Sequence, residues 1–541
     1  MKILQPQEIF TNLKNNMKTQ LKTAFCSTFI IGLLTHIVIM TGDIPNHDGL
    51  ASMYYDQNMI GSGRWFLTVV CGISSYFTIP WIIGLLSIFY LSLTAMVLVE
   101  LFDIKHNISA LLIGGLLATF PALVSTFAYM FTADGYMFAL FLACLGVLLT
   151  KKYSWGFLPG GLCLAFSMGC YQAYISFCML LCVYQVIRIC LKKEKTEVAK
   201  AEYANTKVKE TEVEKTVYLG IKEKALQILK YPAMGILGVS VYYVIQVILQ
   251  KIQNVTLNDY QGINTVSTGI SESFLQKAGR IYHDFFAFTL SGNVVCNNIW
   301  SYLAYGILGT GVLAVLIILI VKKKLYKSIW FYIITVALIV AVPILCNAIL
   351  IISPNVTYHL IMRYQWILIA ILAIAFTEEY TNGKVAPFIS WIMLISSVII
   401  IFNYAVTDNI AYSNIEKKYE KTYAYCLRLV DRMEQTEGYY QGIEVAMVGV
   451  VSDVQYPDTD LSFKVTSNII GASGTSLLYT GRNYQSFLKN YMNVTISLAD
   501  DATIDYIYKT DEYKEMDSFP GKNSMKVMDG ILVIKTENKE N

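Results

Sequence analysis

The sequence predicts an α-helical polytopic membrane protein of about eleven spanning helices, followed by a small α/β domain at the carboxy terminus. Three observations predict this. First, 55% of the 541 residues are hydrophobic and only 15% are charged, whereas a soluble chain carries roughly a quarter charged residues. Second, charge is missing from stretches of about 17–23 residues, the length a helix needs to cross a ~30 Å hydrocarbon core. Third, the lysines between those stretches fall on one side when about eleven spans are threaded in order, as the excess of positive charge in cytoplasmic loops requires.

The predicted spans are 21–41, 80–101, 108–131, 133–150, 155–171, 173–191, 231–250, 299–321, 328–352, 361–377 and 386–403. The amino terminus carries Lys2, Lys14, Lys18 and Lys22. Alternate turns carry Lys105, then Lys151 and Lys152, then Lys192, Lys193 and Lys195, then Lys322, Lys323 and Lys324, then Lys384. These define the cytoplasmic side. The opposite turns carry only Arg64, Lys251, Lys277, Arg280 and Arg363. This threading places the amino terminus in the cytoplasm and 404–541 outside. The run 24–41 is too long for the core of a cleavable leader and reads as an uncleaved signal anchor. Segment 57–78 is apolar, but a further span there would flip every later lysine cluster outward, so it reads as a helix lying on the outer surface. The insert 192–230, rich in Lys and Glu, reads as a solvated cytoplasmic connector.

The net charge of +3 gives no reason to expect nucleic acid. Most of the eleven cysteines, among them Cys144, Cys163, Cys170, Cys178, Cys182 and Cys190, fall in apolar spans and read as small packing residues; Cys296 and Cys426 are placed outside. No Cys/His spacing suits a metal, and no cofactor is expected.

In the carboxy-terminal part, 411–437 has helical apolar spacing through Ile415, Tyr419, Tyr423, Leu427, Val430 and Met433. Ile443–Val451 reads as a buried strand, and Asn483–Tyr491 as a helix. A hairpin closes the chain, Met525–Met528 and Ile531–Ile534 about an Asp529-Gly530 turn. With no recognisable catalytic motif, this region reads as a docking or acceptor-holding domain.

Ionisable residues beside spans are costly and are functional candidates by default. They gather on the outer side. The first outer loop, Thr41 to Gly49, holds Asp43, His47 and Asp48. Asp134 opens an otherwise uncharged helix and is also suited to cap it. Tyr136, Tyr171 and Gln172 follow, the tyrosines also being ordinary interface residues. Arg363 starts the tenth span, where an arginine can also snorkel. A carboxylate base with cations to hold a phosphate suits group transfer from a phosphorylated lipid. No nucleotide is available outside the cell, so the donor would be membrane-borne.

In order, Asp43 to Gly49, Gly63-Arg64-Trp65, Ala133-Asp134-Gly135-Tyr136 and Tyr171-Gln172-Ala173-Tyr174 resemble the bacterial type II glucosyltransferase family of O-antigen modification. The ending from Phe519 to Lys535 is similar in style. The resemblance covers most of the chain outside 192–230. It implies a GT-C type architecture, a multispan glycosyltransferase with its active site on the outer face; with the threading, 1–403 is then the membrane catalytic region and 404–541 the extracytoplasmic domain. It implies a polyprenyl-phosphate-linked sugar, commonly glucose, as donor and a cell-surface polysaccharide or its lipid-linked precursor as acceptor. An acidic residue of the first outer loop would be the base, Asp43 or Asp48; Asp43 is favoured because the span fixes its depth. Asp134 would orient the acceptor or support the base. Arg64, Arg363 and then Arg280 would hold phosphate, with His47, Tyr136, Tyr171 and Gln172 lining the substrate site. The competing readings are a lipid-linked oligosaccharide flippase, which needs polar residues at mid-membrane depth, and a non-enzymatic scaffold displaying the carboxy-terminal domain.

Overall fold

A computed structural model describes residues 5–76, 80–191, 221–257, 274–322, 324–327, 329–352, 356–378, 380, 385–448, 466, 468–469, 471–472 and 477–536. Among these, seven helices are long and apolar enough to cross a membrane: Thr19–Thr41, Pro80–Leu101, Met130–Lys152, Gln172–Cys190, Lys222–Gln253, Ile299–Lys322 and Ala386–Glu434. Four shorter apolar helices, Asn107–Thr119, Phe157–Cys170, Phe331–Cys346 and Tyr364–Glu378, fall at the other predicted positions. The chain is a polytopic membrane protein by this measure.

Several predicted spans are interrupted, for visible reasons. The 108–131 run breaks after Thr119, because Pro121 holds Phe120 extended (φ −65°, ψ 129°). A short helix, Ala122–Phe127, and a 3-10 turn, Met130–Thr132, then lead into Ala133–Lys152. The 361–377 run opens with two 3-10 turns, Leu360–Met362 and Tyr364–Ile367, before Leu368–Glu378. Segment 57–78 is not the single surface helix expected. It forms three short pieces, Ile60–Ser62, Leu67–Val70 and Gly72–Tyr76. Gly63, at φ 74°, closes the first of them and brings Met59 and Arg64 into a β-bridge, a turn that ends any continuous helix. Of the 192–230 insert, 192–220 lie outside the described residues, and the remainder begins the Ile221–Gln253 helix.

Close helix packing depends on small residues. Gly84 of Pro80–Leu101 lies against Met40, and Gly114 lies against Ser27 and Thr28 of the first span; a Cβ at either would collide. The described cysteines are all free, and Cys296 and Cys426 are both buried.

The last span does not stop near 404. Ala386–Glu434 is one helix of 49 residues. Its carboxy-terminal end packs on the carboxy-terminal sheet through Tyr425, Cys426, Leu429, Val430 and Met433, whereas Ile415 belongs to the core of the membrane part. Tyr423 and Leu427, expected on that face, are 39% and 55% exposed. Successive steps of four residues from Ile415 each advance ~40° past a full turn, so by Leu427 the stripe has left the core.

The sheet has strand order Ser497–Leu498, Glu444–Val448, Ile531–Lys535, Met525–Met528. Glu444–Val448 runs parallel to both neighbours. The expected hairpin is present, with Met528 opposite Ile531. Asp529 and Gly530 both have positive φ (50° and 79°), the geometry of the tight hairpin turn that Asp-Gly favours. The predicted helix is Gly481–Met492, capped by Thr480 and Asn483 in a reciprocal box.

Candidate functional site

The chain leaves the Thr19–Thr41 helix through Gly42, whose extended backbone ends the helix and turns Asp43 away from its axis. Asp43 then lines a small cleft of about 20 Å³ with Ile39, Pro45, Met53, Met130 and Phe131. The Tyr491 hydroxyl donates to its carboxylate. Partial burial raises the Asp43 carboxyl above the usual aspartate range, and the Tyr491 bond offsets part of that rise. Tyr491 belongs to the Gly481–Met492 helix. The same helix contributes Asn483, whose amide donates to the His47 carbonyl at 3.2 Å.

His47 packs edge-on against Tyr129 and Tyr479, with ring centroids 6.2 and 5.0 Å away. Its Nε2 is 3.5 Å from the Asp48 carboxylate. Burial lowers the His47 pKa; the Asp48 charge raises it and the Lys418 charge lowers it. Lys418 is 3% exposed, on the long carboxy-terminal helix. His359 is lowered too, by burial, by the positive charge of Arg363 and by His47. Asp48, His47, Lys418, His359 and Arg363 thus form one electrostatic neighbourhood, drawn from three separate stretches of chain.

Arg363 is 6% exposed. Its two terminal nitrogens each donate at 2.7 Å to a different oxygen of Asp284, and its Nε donates to the Tyr358 carbonyl at 3.1 Å. The guanidinium lies 3.8 Å from the Tyr358 ring centroid and 4.4 Å from that of Phe288. A fork held by a carboxylate and stacked on rings is rigid. Asp284 neutralises much of its charge. Arg280 lies one turn earlier on the same Phe274–Ser291 helix.

The remaining candidates form a second group. Arg64 donates to the Tyr136 hydroxyl at 2.9 Å, and its guanidinium carbon lies 5.3 Å from the Tyr171 ring centroid. Tyr136 and Tyr171 stack at 4.1 Å. Gln172 donates to the Ser62 carbonyl and to Tyr242, both at 3.1 Å. Asp134 is the second residue of the Ala133–Lys152 helix, and Thr132 occupies the cap position. Its carboxylate is fully buried, accepting from Ser74 at 2.6 Å and from the Gly135 amide at 3.0 Å. Met130 and Phe131, which line the Asp43 cleft, lead directly into this helix.

The structure therefore places Asp43, His47 and Asp48 on one loop, pairs His47 with Asp48, and links His47 through His359 to Arg363. It sets Arg64, Tyr136, Tyr171 and Gln172 in a cluster of their own, with Asp134 enclosed behind. Sequence reasoning missed Tyr491, Lys418, His359 and Asp284. Lys418 left a signal: it occupies a core position, three residues after the buried Ile415 and four before the buried Thr422.

Chemically, the first group offers a carboxylate that holds a proton at higher pH than an exposed aspartate would. It also offers an imidazole biased towards its neutral form, and buried cations nearby. No curated protein and no solved structure matches the chain. The sequence profile of one family, described as Glucosyl transferase GtrII, matches residues 37–369, from the last turn of the first span through the Arg363 turn. The chain belongs to the Glucosyl transferase GtrII family and is a glucosyltransferase.

Proposed function

We propose that the protein moves glucose from a polyprenyl-phosphate-linked donor to a cell-surface polysaccharide, or to its lipid-linked precursor, on the extracytoplasmic face. Asp43 is the general base. The observation that carries this reading is the placement of Asp43: a carboxylate of raised pKa at a cleft directly after a span, inside the family's matched region.

In the reaction, an acceptor hydroxyl loses its proton to Asp43 as its oxygen bonds to the sugar's anomeric carbon. The bond from that carbon to the donor's phosphate oxygen breaks, and the electron pair leaves with polyprenyl phosphate. Cations stabilise the departing phosphate. Arg64, set over two tyrosine rings, is assigned to this contact. Arg363 takes part with its charge partly offset by Asp284. Asp48 biases His47, and His47, Tyr136, Tyr171 and Gln172 shape the sugar-binding surface. Asp134, enclosed by Ser74, positions the start of its helix and so the Tyr136 hydroxyl.

The test is incubation of the purified protein with polyprenyl-phosphate-glucose and candidate wall glycans, read by mass spectrometry. A gain of one hexose on the acceptor, lost in Asp43→Asn, supports the proposal. Full transfer by both Asp43→Asn and Asp48→Asn removes the base assignment, and no transfer from any polyprenyl-linked sugar removes the donor.

A further inference from the structure

At the end of the helices away from Asp43 lies a cavity of about 330 Å³. Its lining includes Lys151, Lys152, Arg188 and Lys230, with Asp103 as the acidic member. Asp103 bridges Lys151 and Arg188 at 2.8 and 2.7 Å. Lys152 pairs with Glu100 at 2.8 Å, and Lys230 donates to the Tyr153 carbonyl at 3.1 Å. The cations outnumber the carboxylates, so the cavity is a basin of positive charge.

A second, apolar hollow of about 620 Å³ adjoins it. Tyr231 lines both. Two helices build both in the same sequence of levels. On Ile175–Leu191, the apolar wall runs from Ile175 to Val186 and the charged one from Gln185 to Ile189. On Ile221–Gln253, the charged wall is Gln227 to Tyr231 and the apolar one Tyr231 to Ser240. The apolar stretch along the first of these covers ~16 Å, about the hydrocarbon depth of one leaflet.

We infer that an anionic phospholipid of the bilayer binds here, its phosphate in the Lys151–Lys230 cavity and an acyl chain in the groove below Tyr231. Charge complementarity selects the headgroup, since a phosphate diester offers acceptors to lysine and arginine that a zwitterionic lipid partly neutralises itself. The groove selects a molecule with a chain over free phosphate. The glycosyl donor is a poor occupant. The Ala133–Lys152 helix joins the Asp43 level to this cavity over 20 residues, or ~30 Å, so a sugar held here would be a membrane thickness from the proposed base. The inference does not rest on the donor assignment.

Native mass spectrometry of the purified full chain tests it, with phosphatidylglycerol, phosphatidylcholine, polyprenyl phosphate and inorganic phosphate as probes. Phosphatidylglycerol should bind about tenfold or more tightly than phosphatidylcholine, and Arg188→Gln with Lys230→Gln should remove that preference. Gly235→Phe supplies an independent variant, since Gly235 lines the groove and a Cβ there meets nothing within 4 Å. It should fill the groove and weaken phosphatidylglycerol binding about fivefold or more with the charged cavity intact. Equal binding of the two phospholipids overturns the inference. So does displacement of phosphatidylglycerol by equimolar inorganic phosphate, which would make this a free-anion site, or tighter binding of polyprenyl phosphate. If the charge variant does not fold, the wild-type lipid comparison and Gly235→Phe decide.

Discussion

Removing the Asp284 carboxylate tests how Arg363 is held. The two charge-assisted bonds of 2.7 Å put the charge centres about 4 Å apart, which at an effective dielectric constant near 20 is about 4 kcal/mol of attraction. Asp284 is 27% exposed and Arg363 only 7% as side chains. Solvent reaches the acidic end, and removing the carboxylate also recovers its own desolvation cost, so the net coupling falls to about 2 kcal/mol. A double-mutant cycle of Asp284→Asn, Arg363→Gln and both together isolates this term. Denaturant unfolding in detergent micelles supplies the free energies. Asp284→Asn alone should also raise KM for the proposed lipid-linked donor more than it lowers kcat, because the guanidinium stays on its aromatic platform but loses its fixed orientation. A coupling energy under about 0.5 kcal/mol with unchanged KM would refute the argument, since the pair would then be a solvated contact with no part in shaping the site.

Asp43→Asn should lower kcat by about 10²–10⁴ while moving KM far less. With Asp43 as base, its raised pKa means activity in the wild type falls, as the pH drops, at values above the ordinary aspartate range; an acid limb at or below that range contradicts the assignment. Lys418→Met removes a charge that depresses the His47 pKa, so that pKa should rise in an NMR titration, whereas Asp48→Asn should lower it; a shift of the same sign in both would show that the charges do not reach the ring. Gly63→Ala should destabilise by about 2 kcal/mol, because Gly63 has φ 74° and a Cβ would sit 2.5 Å from the Tyr242 hydroxyl and 2.7 Å from Gln172. Gly306→Ala, where a Cβ meets nothing, serves as the neutral control, and equal melting of the two variants would count against the strain.

The helical scaffold was legible because each apolar run carries its own evidence, in length and lack of charge. The Asp529-Gly530 hairpin was legible for the same reason: both turn residues tolerate left-handed backbone, so the local sequence states the geometry. Asp43 was legible as a position, two residues past a helix end, but not as a contact. Its partner Tyr491 comes from a helix near the end of the chain, and no spacing rule links residues that far apart. Asp284 was not legible as a partner either, since it lies 79 residues before Arg363 in the chain. The helical face from Ile415 through Tyr423 to Leu427 failed for a different reason. A run of four-residue steps looks periodic on paper, yet it rotates steadily around the helix, and the buried positions follow mixed steps of three and four.

Those mixed steps matter for the site. Following them puts Lys418 on the buried face, where a lysine is costly unless its charge meets a use or a partner. The helix carrying it is the unbroken continuation of the last candidate span, so the membrane part and the sheet share a single rigid element. Asn483 and Tyr491 approach the first loop from the sheet side while Lys418 approaches along this shared helix. The carboxy-terminal part therefore supplies part of the wall around Asp43 and His47, and a truncation before Gly481 should leave Asp43 without its hydroxyl donor and His47 without its Asn483 anchor. That loss should appear as reduced transfer by membranes holding normal amounts of the truncated chain. Undiminished transfer would mean that the loop holds its own geometry and that these contacts are incidental to it.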